Sequence, residues 1–250
     1  MKYVEYGQEN KEVIILLHGG GLSWWNYREV AELLQDDYHV VLPILNGHAG
    51  SDKDFVSIEE NADGIIAFID EKFGSSVLAI GGLSLGAQIV AEILSKRKDI
   101  CRYAVIESAL VIPMKVTHAL VKPMMDMSYG LIKKKWFAKL QFKALKMKDE
   151  LFDDYYKDTC QITKENMVSF LSANSNYILK EAIADTGAKV CILVGQKENK
   201  KMRDSAQRIY DAIPGSSLVV LKGMYHGEYS LNCAEEYVET LIKLLQGDSI

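Results

Sequence analysis

Val77-Leu78-Ala79-Ile80-Gly81-Gly82-Leu83-Ser84-Leu85-Gly86-Ala87-Gln88 is an apolar run that breaks into glycines around one serine and then resumes with a different period. Val77 to Ile80 has the continuous aliphatic character of a strand buried on both faces. Leu85, Ile89, Val90, Ile93 and Leu94 follow at the spacing of a helix face. The stretch therefore reads as strand, sharp turn and helix, with Ser84 at the joint. A side chain held there takes a strained backbone conformation and needs room on both sides, which glycines at 82 and 86 leave. The joint is also a helix N-terminus, whose unpaired N–H groups and positive dipole end favour developing negative charge. Such a setting suits a nucleophile; a solvated serine in a tight turn is the plainer reading of the pentapeptide alone.

Working outward, strands and helices alternate on both sides of this joint. Tyr3 to Tyr6 and Glu12 to Leu17 read as strands, the second ending in His18-Gly19-Gly20-Gly21. A helix carrying Trp24, Trp25, Tyr27, Val30, Leu33 and Leu34 leads to a strand at His39 to Ile44, and a helix from Ile58 to Phe73 leads to the serine strand. Tyr103 to Ile106 is a further short strand, ending at Glu107-Ser108. Alternation of this kind predicts a mostly parallel sheet with right-handed crossovers and helices on both faces. Ligands of such sheets sit at the carboxyl ends of the strands, where His18 to Gly21, Ser84 and Glu107 all fall.

Between Pro113 and Gly187 the alternation stops, and helix-favouring residues mix with Met124, Met125, Met127, Tyr129, Trp136, Phe137 and Phe142. These Met and aromatic side chains are expected to form a small core of their own, or else to line an adaptable apolar pocket. The pattern returns with Lys189 to Gly195, followed by Gln196-Lys197-Glu198. A helix around Met202 to Ile213, a strand at Ser217 to Leu221, the loop Lys222-Gly223-Met224-Tyr225-His226-Gly227-Glu228 and a final helix from Ala234 to Leu245 complete it.

Gly82-Leu83-Ser84-Leu85-Gly86 matches the G-x-S-x-G elbow. With the His-Gly-Gly-Gly turn after an earlier strand and the order Ser84, Glu198, His226, the chain resembles the α/β-hydrolase family over nearly its whole length outside the helical stretch. The resemblance implies an α/β-hydrolase fold, with residues 1–112 and 188–250 as core and 113–187 as an inserted helical cap. It implies Ser84 as nucleophile, His226 as general base and Glu198 as triad acid in a place usually held by Asp, with Glu107 as the alternative acid. The N–H groups of Gly20 and Leu85 are the expected oxyanion donors. His18 is expected to brace its loop. Leu45 to Asp52 resembles the family's P-G-H-G-x-S turn, departing at Asn46 and Ala49, and its His48 is read as a loop hydrogen-bonding residue.

The activity implied is that of a serine hydrolase cleaving a carboxylic ester or similar acyl bond of a small to medium substrate through an acyl-enzyme. C–C bond hydrolysis and acyl transfer use the same triad and stay open, and a non-catalytic ligand receptor is the reading from another class. Neither a metal nor an organic cofactor is implied.

Composition narrows the partners. The 250 residues are 48% hydrophobic and 25% charged, with a net charge of −5, which gives no general drive toward nucleic acid. No apolar stretch approaches the ~18 residues of a membrane span, and the first residues lack a secretory pattern, so a cytoplasmic protein is expected. Its oligomeric state is open. Cys101, Cys160, Cys191 and Cys233 are scattered, without metal-ligand spacing, and read as free thiols. Lys133, Lys134, Lys135, Lys139, Lys143, Lys146 and Lys148 give the helical stretch a basic face. The expected reading is a solvated face with snorkelling stems; contact with an anionic membrane or substrate is the other.

Overall fold

Aliphatic strands without a polar alternation need cover on both sides, and the chain supplies it. The computed structural model describes residues 1–248. Every residue of β2 (Val13–Leu17), β3 (His39–Pro43) and β4 (Val77–Leu83) is buried. With β1 (Tyr3–Tyr6), β5 (Cys101–Glu107), β6 (Lys189–Gly195) and β7 (Ser217–Leu221) they form a seven-stranded sheet in the order β1-β3-β2-β4-β5-β6-β7. Only β1 runs antiparallel. One face is covered by α1 (Arg28–Leu34) and α10 (Ala234–Gln246), which share an apolar cluster with Leu16, Leu42 and Leu193. The other is covered by α2 (Ile58–Phe73), α3 (Leu85–Lys96) and α8 (Lys200–Ala212), which pack on Ile15, Ile80 and Ile192. This is the α/β-hydrolase fold expected from the alternation.

Register fixes where the loops emerge. Leu17 pairs with Gly82, Leu83 with Glu107, and Glu107 with Leu193. The turns after β2, β4, β5 and β6 thus leave the sheet side by side at one edge. The strand that carries the elbow is longer than Val77 to Ile80. It continues through Gly81, Gly82 and Leu83, because the glycines still pair with β2 and β5 while the Leu16 side chain and the Tyr237 hydroxyl pack where a Cβ of Gly81 would stand. Strand β5 likewise takes in Cys101 and Glu107. Trp24–Tyr27 forms a tight 3₁₀ turn, the α-helix beginning at Arg28. Bulky aromatics with modest helix propensity bury better there, and Trp25 and Tyr27 do so.

Between β5 and β6 lie α4 (Lys115–Ile132), α5 (Lys135–Ala144), α6 (Phe152–Thr159) and α7 (Lys164–Asn176), with no strand. They do not form one separate core. Ala138, Phe142, Met147, Leu151 and Tyr155 merge with the α1 and α10 cluster, whereas Val121, Met125, Ile132 and Phe170 merge with the α2 and α3 cluster. Polar ties fasten them further. Trp25 Nε1 donates to Asp158 Oδ2 at 2.8 Å, Asn174 Nδ2 donates to Gln88 Oε1 at 2.8 Å, and the Phe55 N–H donates to Asn166 Oδ1 at 2.8 Å. Met124, Met127 and Trp136 do neither of the two things expected of them. They face solvent.

The elbow shows why two glycines flank the serine. A Cβ on Gly86 would overlap the carbonyl oxygen of Leu17, and one on Gly82 would meet the backbone of Gly86. Replacing Gly86 by alanine is therefore expected to lower stability by about 3 kcal/mol, since a backbone carbonyl cannot step aside as a side chain does. A urea midpoint indistinguishable from that of the unmodified protein would show that the turn is looser than described.

Candidate active site

Ser84 stands at φ 53°, ψ −109°, a conformation that L-residues adopt only when the surroundings over-determine it. Its N–H donates to the Glu107 carbonyl at 2.9 Å, which extends the β4–β5 pairing by one rung. Its carbonyl receives the Gln88 N–H at 3.0 Å, which starts α3. Ser84 is thus the N-cap of α3, yet its side chain makes no capping hydrogen bond. The hydroxyl is left available at the positive end of a twelve-residue helix.

Two N–H groups are free beside it. Leu85 is the first residue of α3 and has no intrahelical partner for its N–H. In the turn after β2, Gly19 N–H donates to Asn26 Oδ1 at 3.1 Å and Gly21 N–H donates to His48 Nε2 at 3.0 Å. Gly20 between them is exposed, and its N–H has no partner among the described residues. The two sites adjoin: a Cβ built on Gly20 would lie 3.6 Å from Leu85 Cβ and 3.5 Å from the ring of Phe170 on α7.

Both loop histidines are buried and serve the backbone. His18 Nδ1–H donates to the Gly19 carbonyl at 2.9 Å, and its Nε2 accepts the Leu45 N–H at 3.1 Å. His48 Nδ1–H donates to the Asn46 carbonyl at 3.1 Å while its ring stacks on Phe170, centroids 4.6 Å apart. Burial pushes both imidazoles down, that of His48 to about 4, so each stays neutral and keeps one nitrogen as an acceptor.

A carboxylate and a histidine meet on the neighbouring loops. His226 Nδ1 and Glu198 Oε2 are 2.8 Å apart. Glu198 Oε1 accepts the Ser108 hydroxyl at 2.7 Å and the Gly195 N–H at 2.8 Å. Burial alone would raise this carboxyl. The bond from His226, the histidine's charge, Ser108 and Gly195 outweigh it and hold the group below the usual carboxylate range. An ionised Glu198 is acceptor-only, so His226 carries its proton on Nδ1 and presents Nε2 as a base. Gly227 packs against the side chain of Leu83, which sets the histidine loop beside the elbow. Ser84 Oγ and His226 are not hydrogen-bonded to each other; such bonds are often long before a substrate is present.

Glu107 is placed differently. It is 1% exposed and makes no hydrogen bond to His226. Its Oε1 accepts the Ser230 N–H at 3.4 Å, and Oε2 has no partner. Burial raises this carboxyl to about 7, against weaker lowering by Ser230 and His226. The consequence for stability has a definite sign. Below the unfolded value of 4.5 both states hold the proton; between there and about 7 only the folded state does, so stability falls as pH rises and the loss is complete above about 7. Glu107→Gln cannot lose a proton. It is expected to match wild type near pH 4.5 and to exceed it by about 3 kcal/mol at pH 8. Parallel urea titrations at the two pH values check this, and an equal difference at both would refute a buried protonated carboxyl.

Ser108, Phe170, His48 and Asn26 were not singled out as site residues by sequence, apart from the loop role given to His48. Ser108 has a local signal, being the first residue past β5, at φ 56°. Phe170 has none. A cleft of about 350 Å³ opens beside His226, walled by Ala144, Leu145, Asn199, Met202 and Tyr225, and Ser84 lies outside its walls. Among the described residues no group of three His, Cys, Asp or Glu side chains is placed to hold a metal ion.

Comparison with known proteins agrees with this geometry at the level of fold. The chain superposes on the enol-lactonase from Burkholderia xenovorans LB400 with a TM-score of 0.82 at 15% identity, covering 98% of this chain and 96% of that one. It superposes on a thermophilic esterase from Thermogutta terrifontis with a TM-score of 0.80 at 15% identity, covering 98% and 93%. For a structure from work on carboxylesterases of the thaumarchaeon Nitrososphaera gargenis the TM-score is 0.79 at 16% identity, covering 99% and 96%. No curated protein matches the sequence. The model of the alpha/beta hydrolase family matches residues 14–240, and the chain belongs to that family.

Proposed function

We propose that this hydrolase cleaves a carboxylic ester or similar acyl bond of a small to medium substrate, with Ser84, His226 and Glu198 as its triad. The observation that carries the reading is the 2.8 Å contact between His226 and a buried, ionised Glu198, beside a serine strained at a helix N-terminus. His226 Nε2 takes the proton from Ser84 Oγ as the oxygen attacks the carbonyl carbon. The oxyanion that forms is met by the N–H groups of Gly20 and Leu85, each worth about 3–4 kcal/mol of barrier where such donors have been removed. Collapse expels the alcohol, which leaves with the proton from His226. Water then attacks the acyl-enzyme with the same histidine as base. Residues 113–187 act as a cap, with Phe170 against the oxyanion turn. Solved structures of similar fold named as esterases and a lactonase support an acyl substrate.

Turnover of a p-nitrophenyl ester series from acetate to palmitate tests the proposal. A preferred chain length with saturation kinetics is the expected result. Hydrolysis no faster than buffer along the whole series, together with tight binding of an acyl ligand, would move the protein to the receptor reading.

A further inference from the structure

The stretch from Pro113 to Lys148 holds nine lysines and one acidic residue, Asp126, a charge of +8 in a chain whose total is −5, which leaves −13 for the remainder. Apart from Lys122 with Asp126 and Lys148 with Glu29, these lysines make no ion pair among the described residues. Lys115, Lys133, Lys134, Lys135, Lys139, Lys143 and Lys146 are exposed.

Large apolar side chains stand among them. On α4, Val116, Leu120, Met124, Met127 and Leu131 follow one another at intervals of three and four residues and all face solvent, with Val116 at 75% and Met127 at 85% exposure. On α5, Trp136 and Leu140, one turn apart, are 64% and 62% exposed. Lys133, Lys134 and Lys135 lie between the two sets. A merely solvated basic face has no use for an exposed tryptophan and two exposed methionines beside its lysines. Apolar stripes of this kind mark a contact surface.

We propose that the α4–α5 face seats the protein on an anionic lipid surface. The apolar side chains enter the boundary between headgroups and acyl chains, Trp136 sits at headgroup depth, and the lysines pair with lipid phosphates along the rim. Charge decides against the other occupants. A second copy docked face to face about a two-fold axis would set +8 against +8. A copy docked by its acidic remainder makes a head-to-tail contact that does not close. The face borders the cleft beside His226, since Ala144 and Leu145 at the end of α5 wall that cleft. No helix is long and apolar enough to cross a membrane, so the contact is peripheral.

The test is co-sedimentation of the full chain with vesicles of phosphatidylcholine alone and of phosphatidylcholine mixed with phosphatidylglycerol. Binding is expected only to the mixed vesicles, falling steeply with salt. Lys133→Gln, Lys134→Gln and Lys135→Gln together weaken it about a hundredfold, at roughly fivefold per lysine. Met127→Glu with Trp136→Glu weakens it while leaving the thermal midpoint unchanged, because both side chains lack packing partners to lose. Ser84→Ala binds as wild type does, which separates this surface from the catalytic reading. The proposal is overturned if the protein stays in solution with both vesicles, or if the Met127→Glu, Trp136→Glu variant binds undiminished and is retained equally on polyglutamate, which would make the face a site for an acidic protein. A concentration-dependent dimer that the same variant abolishes also overturns it, in favour of a second copy.

Discussion

Ser84→Ala is expected to lower kcat by on the order of a million-fold, with KM for an ester substrate changed little. The elbow makes the variant a clean one. Ser84 Oγ neither caps α3 nor bonds to a neighbour, and the strained backbone is held by its N–H and carbonyl, so alanine removes the nucleophile and leaves the turn in place. His226→Ala is expected to cost about as much, because a serine hydroxyl without a base to take its proton is a weak nucleophile. The two losses do not add: the double variant is expected to equal either single one, with residual hydrolysis about a thousandfold or more over water from the oxyanion donors and binding. Stopped assays on an activated ester measure all three. A double variant worse than either single one by a further large factor would mean that the two residues act in separate steps.

Glu198→Gln is expected to lower kcat by about ten-thousand-fold, whereas Glu107→Gln lowers it by less than about tenfold. Both carboxylates end a strand beside the elbow, and in the chain they are equally plausible partners for a histidine. Geometry separates them. Glu198 Oε2 meets His226 Nδ1 at 2.8 Å, while Glu107 turns to the backbone of Ser230 and leaves its second oxygen unpartnered. An amide at 198 would present a donor to His226 Nδ1 and favour the tautomer whose proton sits on Nε2, where a base is needed. It would also leave the Ser108 hydroxyl and Gly195 N–H facing a group that no longer carries charge. Steady-state rates across pH check the pair of variants. The reverse order of losses would hand the acid's role to Glu107.

Much of this was legible before any coordinates. The glycine-flanked serine fixes strand, turn and helix by local sterics, and the run of buried aliphatic strands then leaves few sheet topologies open. Glu198 and His226 could be placed because each follows a strand whose end must lie at the same edge. What stayed hidden depends on contacts between distant residues. Ser108 reaches Glu198 across ninety positions of chain, and Phe170 reaches the Gly20 turn only because α7 folds back over it. Neither carries a spacing that marks it. The lysine run was visible, but the outward aim of Met127 and Trp136 was not, since a helix with apolar residues on two faces does not say which one the protein covers. For Glu107 the position was evident and the burial was not, and burial is what turns a candidate acid into a protonated structural group.

The central claim is that Ser84 is a nucleophile activated by His226. Reaction with a fluorophosphonate, followed by peptide mapping of the adduct, tests it most directly, because phosphonylation requires an activated hydroxyl and reports the atom that attacked. One adduct per chain on the Ser84 peptide, absent from Ser84→Ala and slowed by orders of magnitude in His226→Ala, is the result predicted here. An unlabelled wild type, or an adduct on any other residue, would contradict it.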